Sequence, residues 1–81
     1  MRRFPQVLVN VEVAHKERLD QAGEIWQAVR EREALLDGSG RILVRASGTE
    51  PLVRVMVEAE SVTMAREQAG AIAEQVAAAL A

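Results

Sequence analysis

From Gln6 to Val13 hydrophobic and polar positions alternate. Val7, Val9, Val11 and Val13 fall on one side, and Leu8, Asn10 and Glu12 on the other. A period of two with β-branched residues on one side predicts a strand with a single buried face. Pro5 stands at its entry, where a missing N–H does least harm. From about Leu19 to Leu36 the period becomes helical: Leu19, Ala22, Ile25, Trp26 and Val29 share a face, and Arg30-Glu31-Arg32-Glu33 extends the polar side. Gly23 weakens this helix slightly. Asp37-Gly38-Ser39-Gly40 ends it, since glycine accepts the left-handed conformation that commonly follows a helix.

Arg41 to Ala46 and Leu52 to Ala59 read as second and third strands. Ile42 and Val44 lie on one face of the former; Val53, Val55 and Val57 lie on one face of the latter, opposite Arg54, Met56 and Glu58. Ser61 is the expected N-cap of a last helix whose apolar stripe is Val62, Ala65, Ala69, Ile72, Val76 and Leu80. The order β-α-β-β-α predicts an α+β two-layer sandwich, a small antiparallel sheet with two helices on one face. Pairing of the first strand with the third gives the spatial order 1-3-2. Asn10, Glu12, Leu43, Arg45, Arg54, Met56 and Glu58 then share the second face, with no element left to cover it. That face is either solvated or packed against something outside this chain, and Leu43 and Met56 fit either case.

Composition narrows the possible functions. With 81 residues the chain is one domain at most. It is 49% hydrophobic and 27% charged, which suits a globular domain. The absence of cysteine excludes disulfides and thiolate metal sites. A net charge of −2, with Phe4 and Trp26 the only aromatic residues, argues against nucleic acid as a partner. No apolar run approaches the roughly 20 residues that span a bilayer. The basic start Met1-Arg2-Arg3-Phe4-Pro5 leads into an alternating segment rather than the apolar core of a signal peptide. A soluble, cytoplasmic protein without membrane contact is expected.

The segment with chemistry is Ala46-Ser47-Gly48-Thr49-Glu50-Pro51, flanked by Arg45 and Arg54. Arginine offers paired donors matched to phosphate oxygens and a charge that does not titrate away. Gly48 lets backbone approach a ligand and can turn successive N–H groups inward as a nest. Ser47 and Thr49 add short neutral donors, and Pro51 stiffens the exit. Glu50 would repel an anion, so it is expected to point away. There it can pair with Arg45 or Arg54, or accept hydrogen bonds from a sugar. The same Ser, Gly, Thr and Pro could serve an ordinary hairpin turn; the flanking arginines and the density of donors favour a phosphate grip.

The run Arg45-Ala46-Ser47-Gly48-Thr49-Glu50-Pro51-Leu52-Val53-Arg54-Val55-Met56-Val57-Glu58 resembles the C-terminal phosphate-binding signature of the α-D-phosphohexomutase superfamily. Together with Pro5-Gln6-Val7-Leu8-Val9-Asn10-Val11, it is most similar to the bacterial branch that works on glucosamine phosphates. The likeness covers nearly the whole chain, from about Phe4 to the last helix. It implies a fold resembling the TATA-box-binding protein, without DNA binding. It also implies that the chain is the C-terminal substrate phosphate-binding domain, residues 1–81, of a four-domain enzyme. Such enzymes interconvert hexose 6- and 1-phosphates through a phosphoserine and a bisphosphorylated sugar. Carried over residue by residue, Arg45, Ser47, Gly48, Thr49 and Arg54 would hold the phosphate that is not reacting. Glu50 would support the loop or touch the sugar.

The superfamily's phosphoserine and Mg²⁺-binding acidic loop belong to earlier domains and match nothing here. Asp20 and Asp37 are the only aspartates. The resemblance therefore implies no catalytic residue and no metal or cofactor in this chain, which alone should be inactive. Its partners would be glucosamine 6-phosphate or 1-phosphate and the preceding domains of the same polypeptide. The same domain from a mutase of glucose or mannose phosphates is disfavoured by Gly48 and Glu50-Pro51. A stand-alone anion-binding module is the third possibility. Elsewhere, His15 reads as a solvated loop residue, Trp26 as an anchor of the apolar stripe, and Arg30 to Glu33 as a solvated face with local ion pairs. Arg2 and Arg3 read as part of a connection, with steering of anions as a second role.

Overall fold

Alternating valines become strands where period two places them, and the helices cover the side on which those valines lie. The computed structural model describes residues 4–36 and 40–81. Its elements are β1 (Gln6–Glu12), a 3-10 turn (Lys16–Gln21), α1 (Gly23–Leu35), β2 (Arg41–Ala46), β3 (Leu52–Glu58) and α2 (Val62–Ala79). The three strands form one sheet in the order β1-β3-β2, antiparallel throughout, as the sequence predicts.

The central strand carries the core. Val53, Val55 and Val57 of β3 are wholly buried against Ile25 of α1 and Ala65, Ala69, Ile72 and Val76 of α2. The valines of β1, at the sheet edge, are only half-buried. Alanines on α2 let the helix lie close to the sheet. Ser61 caps α2 as expected, its Oγ accepting from the Met64 N–H at 3.1 Å. At the other end the Leu80 carbonyl accepts from the N–H groups of Ala14 (3.1 Å) and His15 (3.0 Å), tying α2 to the exit of β1.

Five expectations need correction. The helix anticipated from Leu19 starts only at Gly23, after a 3-10 turn and a break at Ala22 (φ −84°, ψ 76°). The Leu19 carbonyl is taken by the Ala22 N–H (3.1 Å) and the Trp26 Nε1–H (3.0 Å), which holds the break in place. Gly23 is thus a first-turn residue rather than a weak point inside a helix. Val62 is 45% exposed, so the buried stripe of α2 begins at Ala65.

The charged run on α1 is not simply solvated. The Glu33 Oε2 accepts the Ile42 N–H of the edge strand β2 at 3.0 Å, and the Arg32 Nη1 donates to the Gln68 Oε1 at 3.1 Å. Both groups join elements instead of pairing locally. Asp37 to Ser39, with the proposed helix stop, and Arg2 and Arg3 lie outside the described residues. Gly40 is not left-handed. A Cβ there would collide with the Glu58 carbonyl oxygen and lie 3.1 Å from the Ala59 Cα, so glycine permits close approach of two backbones.

No helix among the described residues is long and apolar enough to cross a membrane. The sheet face away from the helices is open. Its cross-strand rows run Gln6–Glu58–Arg41, then Leu8–Met56–Leu43, then Asn10–Arg54–Arg45. Leu8 and Leu43 are 61% and 45% exposed.

Candidate functional site: an arginine-flanked hairpin loop

The antiparallel register sets Arg45 of β2 directly opposite Arg54 of β3. Directly opposed residues bring their Cβ atoms to about 5 Å, and like charges so placed destabilise a sheet. Both side chains are exposed, and neither has an acidic partner among the described residues. Charge of one sign, concentrated without a counter-ion, creates a local field that attracts an anion.

The connecting loop completes a depression of about 300 Å³ lined by Arg45, Ala46, Ser47, Gly48, Thr49 and Arg54. Five residues singled out in the sequence therefore meet in one place. Ser47 N–H donates to the Leu52 carbonyl at 2.9 Å, closing the loop at its base. Leu52 N–H donates to the Glu50 carbonyl at 2.8 Å across Pro51, whose fixed φ presets that tight turn. The Ser47 Oγ accepts the Glu50 N–H at 3.3 Å, which leaves its hydroxyl proton available to donate. Neither the Gly48 nor the Thr49 N–H has a partner among the described residues.

Two findings sharpen the reading of the loop. Gly48 does not adopt the left-handed conformation, and a Cβ there would meet nothing within 4 Å. What the glycine contributes is a bare surface, not an unusual φ. Glu50 is not among the residues that line the depression, and among the described residues its carboxylate pairs with neither Arg45 nor Arg54.

A residue that the sequence did not mark supports the loop from behind. Lys16, at the start of the 3-10 turn, donates through Nζ to the carbonyls of Ser47 at 2.6 Å and Glu50 at 2.9 Å. It is absent from the lining of the depression. Sequence separations of 31 and 34 residues, with no motif around the lysine, hide this contact from one-dimensional reading.

His15 sits on the surface with Nδ1 3.4 Å from the Glu17 Oε1. The Glu17 pKa lies below its ordinary value, mainly because its own backbone N–H donates to the carboxylate, with His15 adding a smaller contribution. This pair lies outside the depression. The described residues bring together no group of three or more His, Cys, Asp or Glu that could hold a metal. No step through a metal is assigned to them.

The chain is thus a two-layer α+β domain whose β2–β3 loop is flanked by two exposed arginines. Residues 8–78 match the phosphoglucomutase/phosphomannomutase C-terminal domain family, and the chain belongs to that family. Its sequence is 52% identical to the phosphoglucosamine mutase of Streptomyces coelicolor over 99% of this chain. It is 58% identical to that of Saccharopolyspora erythraea over 96%. In both cases it spans 18% of the relative's length.

Among solved structures, it is similar to Aspergillus fumigatus N-acetylphosphoglucosamine mutase in complex with GlcNAc-6P and magnesium. That match has a TM-score of 0.72 and 31% identity, over 96% of this chain and 16% of the other. A second match is the product complex of an N-acetylglucosamine-phosphate mutase of the α-D-phosphohexomutase superfamily. Its TM-score is 0.67 at 30% identity, over 90% of this chain and 15% of the other. In these relatives the domain is a small part of a longer chain.

Proposed function

We propose that this domain grips the non-reacting phosphate of a phosphosugar and so orients the sugar for chemistry performed by other domains of a phosphoglucosamine mutase. The reaction would interconvert glucosamine 6-phosphate and glucosamine 1-phosphate, in the cytoplasm, for amino-sugar nucleotide and cell-wall precursor synthesis. The observation that carries this reading is the directly opposed Arg45 and Arg54, without an acidic partner among the described residues, beside a loop whose Gly48 and Thr49 N–H groups have no partner among them. Remote phosphate binding can be spent on orientation at a distant centre, where small misplacements cost large factors in rate. Arg45, Ser47, Gly48, Thr49 and Arg54 supply the contacts. Glu50 lies beside the grip as loop support or sugar contact. Phosphoserine and Mg²⁺ would come from the preceding domains, and this chain alone turns over no substrate.

The test is an NMR titration of the chain with glucosamine 6-phosphate, glucose 6-phosphate and inorganic phosphate. Shifts should concentrate between Arg45 and Arg54 with a Kd on the order of millimolar, since one phosphate grip supplies only about 4 kcal/mol. All three ligands should bind with similar affinity, because the phosphate makes most of the contacts to this chain. Guanidinium does not titrate near neutrality, so pH dependence comes from the ligand: affinity rises as pH passes upward through about 6, where the phosphate becomes a dianion. Shifts confined to another surface would defeat the proposal.

A further inference from the structure

We propose that Lys16 is the positioning residue of the phosphate loop, holding two backbone carbonyls so that the loop presents N–H groups rather than oxygens to a phosphomonoester. The inference rests on the phosphate-grip reading above and goes on to name the residue that prepares it. Loops of this kind meet an electrostatic problem. Every peptide unit carries an acceptor as well as a donor, and carbonyls turned toward the site would repel the anion.

The Lys16 ammonium answers that problem from the rear. It binds the Ser47 carbonyl at 2.6 Å and the Glu50 carbonyl at 2.9 Å, the two ends of the Ser47–Glu50 turn. In a planar trans peptide the C=O and the following N–H point in opposite directions. Anchoring the Ser47 carbonyl on the Lys16 side therefore aims the Gly48 N–H away from Lys16. That N–H has no other partner among the described residues, and Gly48 lines the depression that Lys16 does not. The Glu50 carbonyl precedes Pro51, so that peptide has no N–H to offer, and holding its oxygen simply keeps it out of the site.

Three features favour lysine here. Its ammonium has three donors on one point, enough for both carbonyls. A hydrogen bond from a charged donor is roughly twice as strong as a neutral one. Its positive charge lies close behind an anion site and adds to the field of Arg45 and Arg54 without touching the ligand.

The experiment uses the 15N-labelled 81-residue chain and its Lys16→Met, Lys16→Gln and Lys16→Arg variants. Two quantities are measured: the amide order parameters of Gly48 and Thr49 without ligand, and the affinity and shift pattern for inorganic phosphate. In Lys16→Met the order of both amides should fall. Phosphate affinity should weaken about tenfold, the cost of one charged hydrogen-bonding group, and the phosphate-induced shift of Gly48 should vanish. Lys16→Arg should restore both the loop order and the phosphate response, and Lys16→Gln should keep much of the order with weaker binding.

The urea midpoint should barely move, which separates positioning from a general contribution to folding. Unchanged loop order together with unchanged phosphate affinity in Lys16→Met overturns the proposal. If that variant does not fold, Lys16→Gln carries the same two readouts. Ordered wild-type loop amides that loosen in Lys16→Met, with no phosphate-induced shifts in either, would sink the phosphate-grip reading while the anchoring remained.

Discussion

The β2–β3 ladder ends in two ways. At its first pair Arg41 faces Glu58, with Nε and Oε1 3.7 Å apart, and Gln6 donates to the other carboxylate oxygen at 2.9 Å. At the other end of the same strands Arg45 faces Arg54, and neither finds a carboxylate among the described residues. Each end also has its glycine. A side chain at Gly40 would strike backbone, whereas one at Gly48 would meet open space. One end is neutral and closely packed, the other charged and bare. A sheet that pairs its charges at one end shows that the fold alone does not demand the like-charged pair at the other, which is the feature the phosphate-grip proposal accounts for.

The largest effect should come at the packed end. In Gly40→Ala the new Cβ would run into the Glu58 carbonyl and crowd the Ala59 Cα, and backbone cannot step aside as a flexible side chain can. Overpacking of this kind costs about 2–3 kcal/mol. Urea unfolding should show a clear fall in midpoint. Phosphate-induced shifts in the surviving folded population should stay at the other end. A loss below about 0.5 kcal/mol, the usual scatter for surface changes, would break the claim that Gly40 is structural.

At the charged end the sign of the stability effect reverses. If the proposed grip is right, Arg45→Ala removes one of its two guanidinium donors and should weaken binding at least about tenfold, enough to abolish shifts at accessible ligand concentrations. Because it also relieves the repulsion with Arg54, stability should hold or rise by a few tenths of a kcal/mol. Urea melts at low and high salt test this: the wild type should gain more from salt than the variant does. Equal loss of stability and binding would mean that Arg45 is simply part of the fold.

The contrast between ends was partly legible in the sequence. Alternation along all three strands gave the sheet, its covered face and the uncovered row of Arg45 and Arg54, since period two assigns faces without tertiary knowledge. The loop was legible because its donors lie within a few residues of one another. What escaped depends on through-space neighbours. Leu19 and Ala22 are spaced by three, which suits a 3-10 turn as well as an α-helix, so the break before Gly23 left no mark. The role of Gly40 is set by the Glu58 backbone, and that of Lys16 by carbonyls more than thirty residues away.

A smaller effect is expected from Glu58→Gln, which unpairs Arg41. The Arg41 side chain is 60% exposed, so solvent screens the pair and the loss should stay below about 1 kcal/mol. Phosphate should bind as in the wild type, because Glu58 lies two cross-strand rows from Arg54. An appearance of phosphate-induced shifts at Arg41 in this variant would sharpen the comparison further, since it would show that unpairing alone makes an arginine bind an anion. A loss of binding at Arg45 and Arg54 would instead show that the two ends communicate.

The mildest loss of binding should accompany Gly48→Ala, and it separates folding from binding most cleanly. The backbone at Gly48 is not left-handed, and nothing lies within 4 Å of the added Cβ, so no strain or clash opposes the substitution. Alanine also restricts the unfolded chain, which stabilises the folded state by about 0.4–1 kcal/mol where its conformation is compatible. Folding alone would therefore favour a side chain at this position. A phosphate seated between Arg45 and Arg54 needs the space beside the loop backbone. There the methyl group would hold it off the Gly48 N–H, and losing that one donor should weaken binding about tenfold or less. Opposite signs, a higher urea midpoint with a weaker phosphate titration, are the expected result. Equal phosphate affinity in the two proteins would show that the bare surface at Gly48 is not where the anion sits, and would leave the arginines to hold it from the sheet face alone.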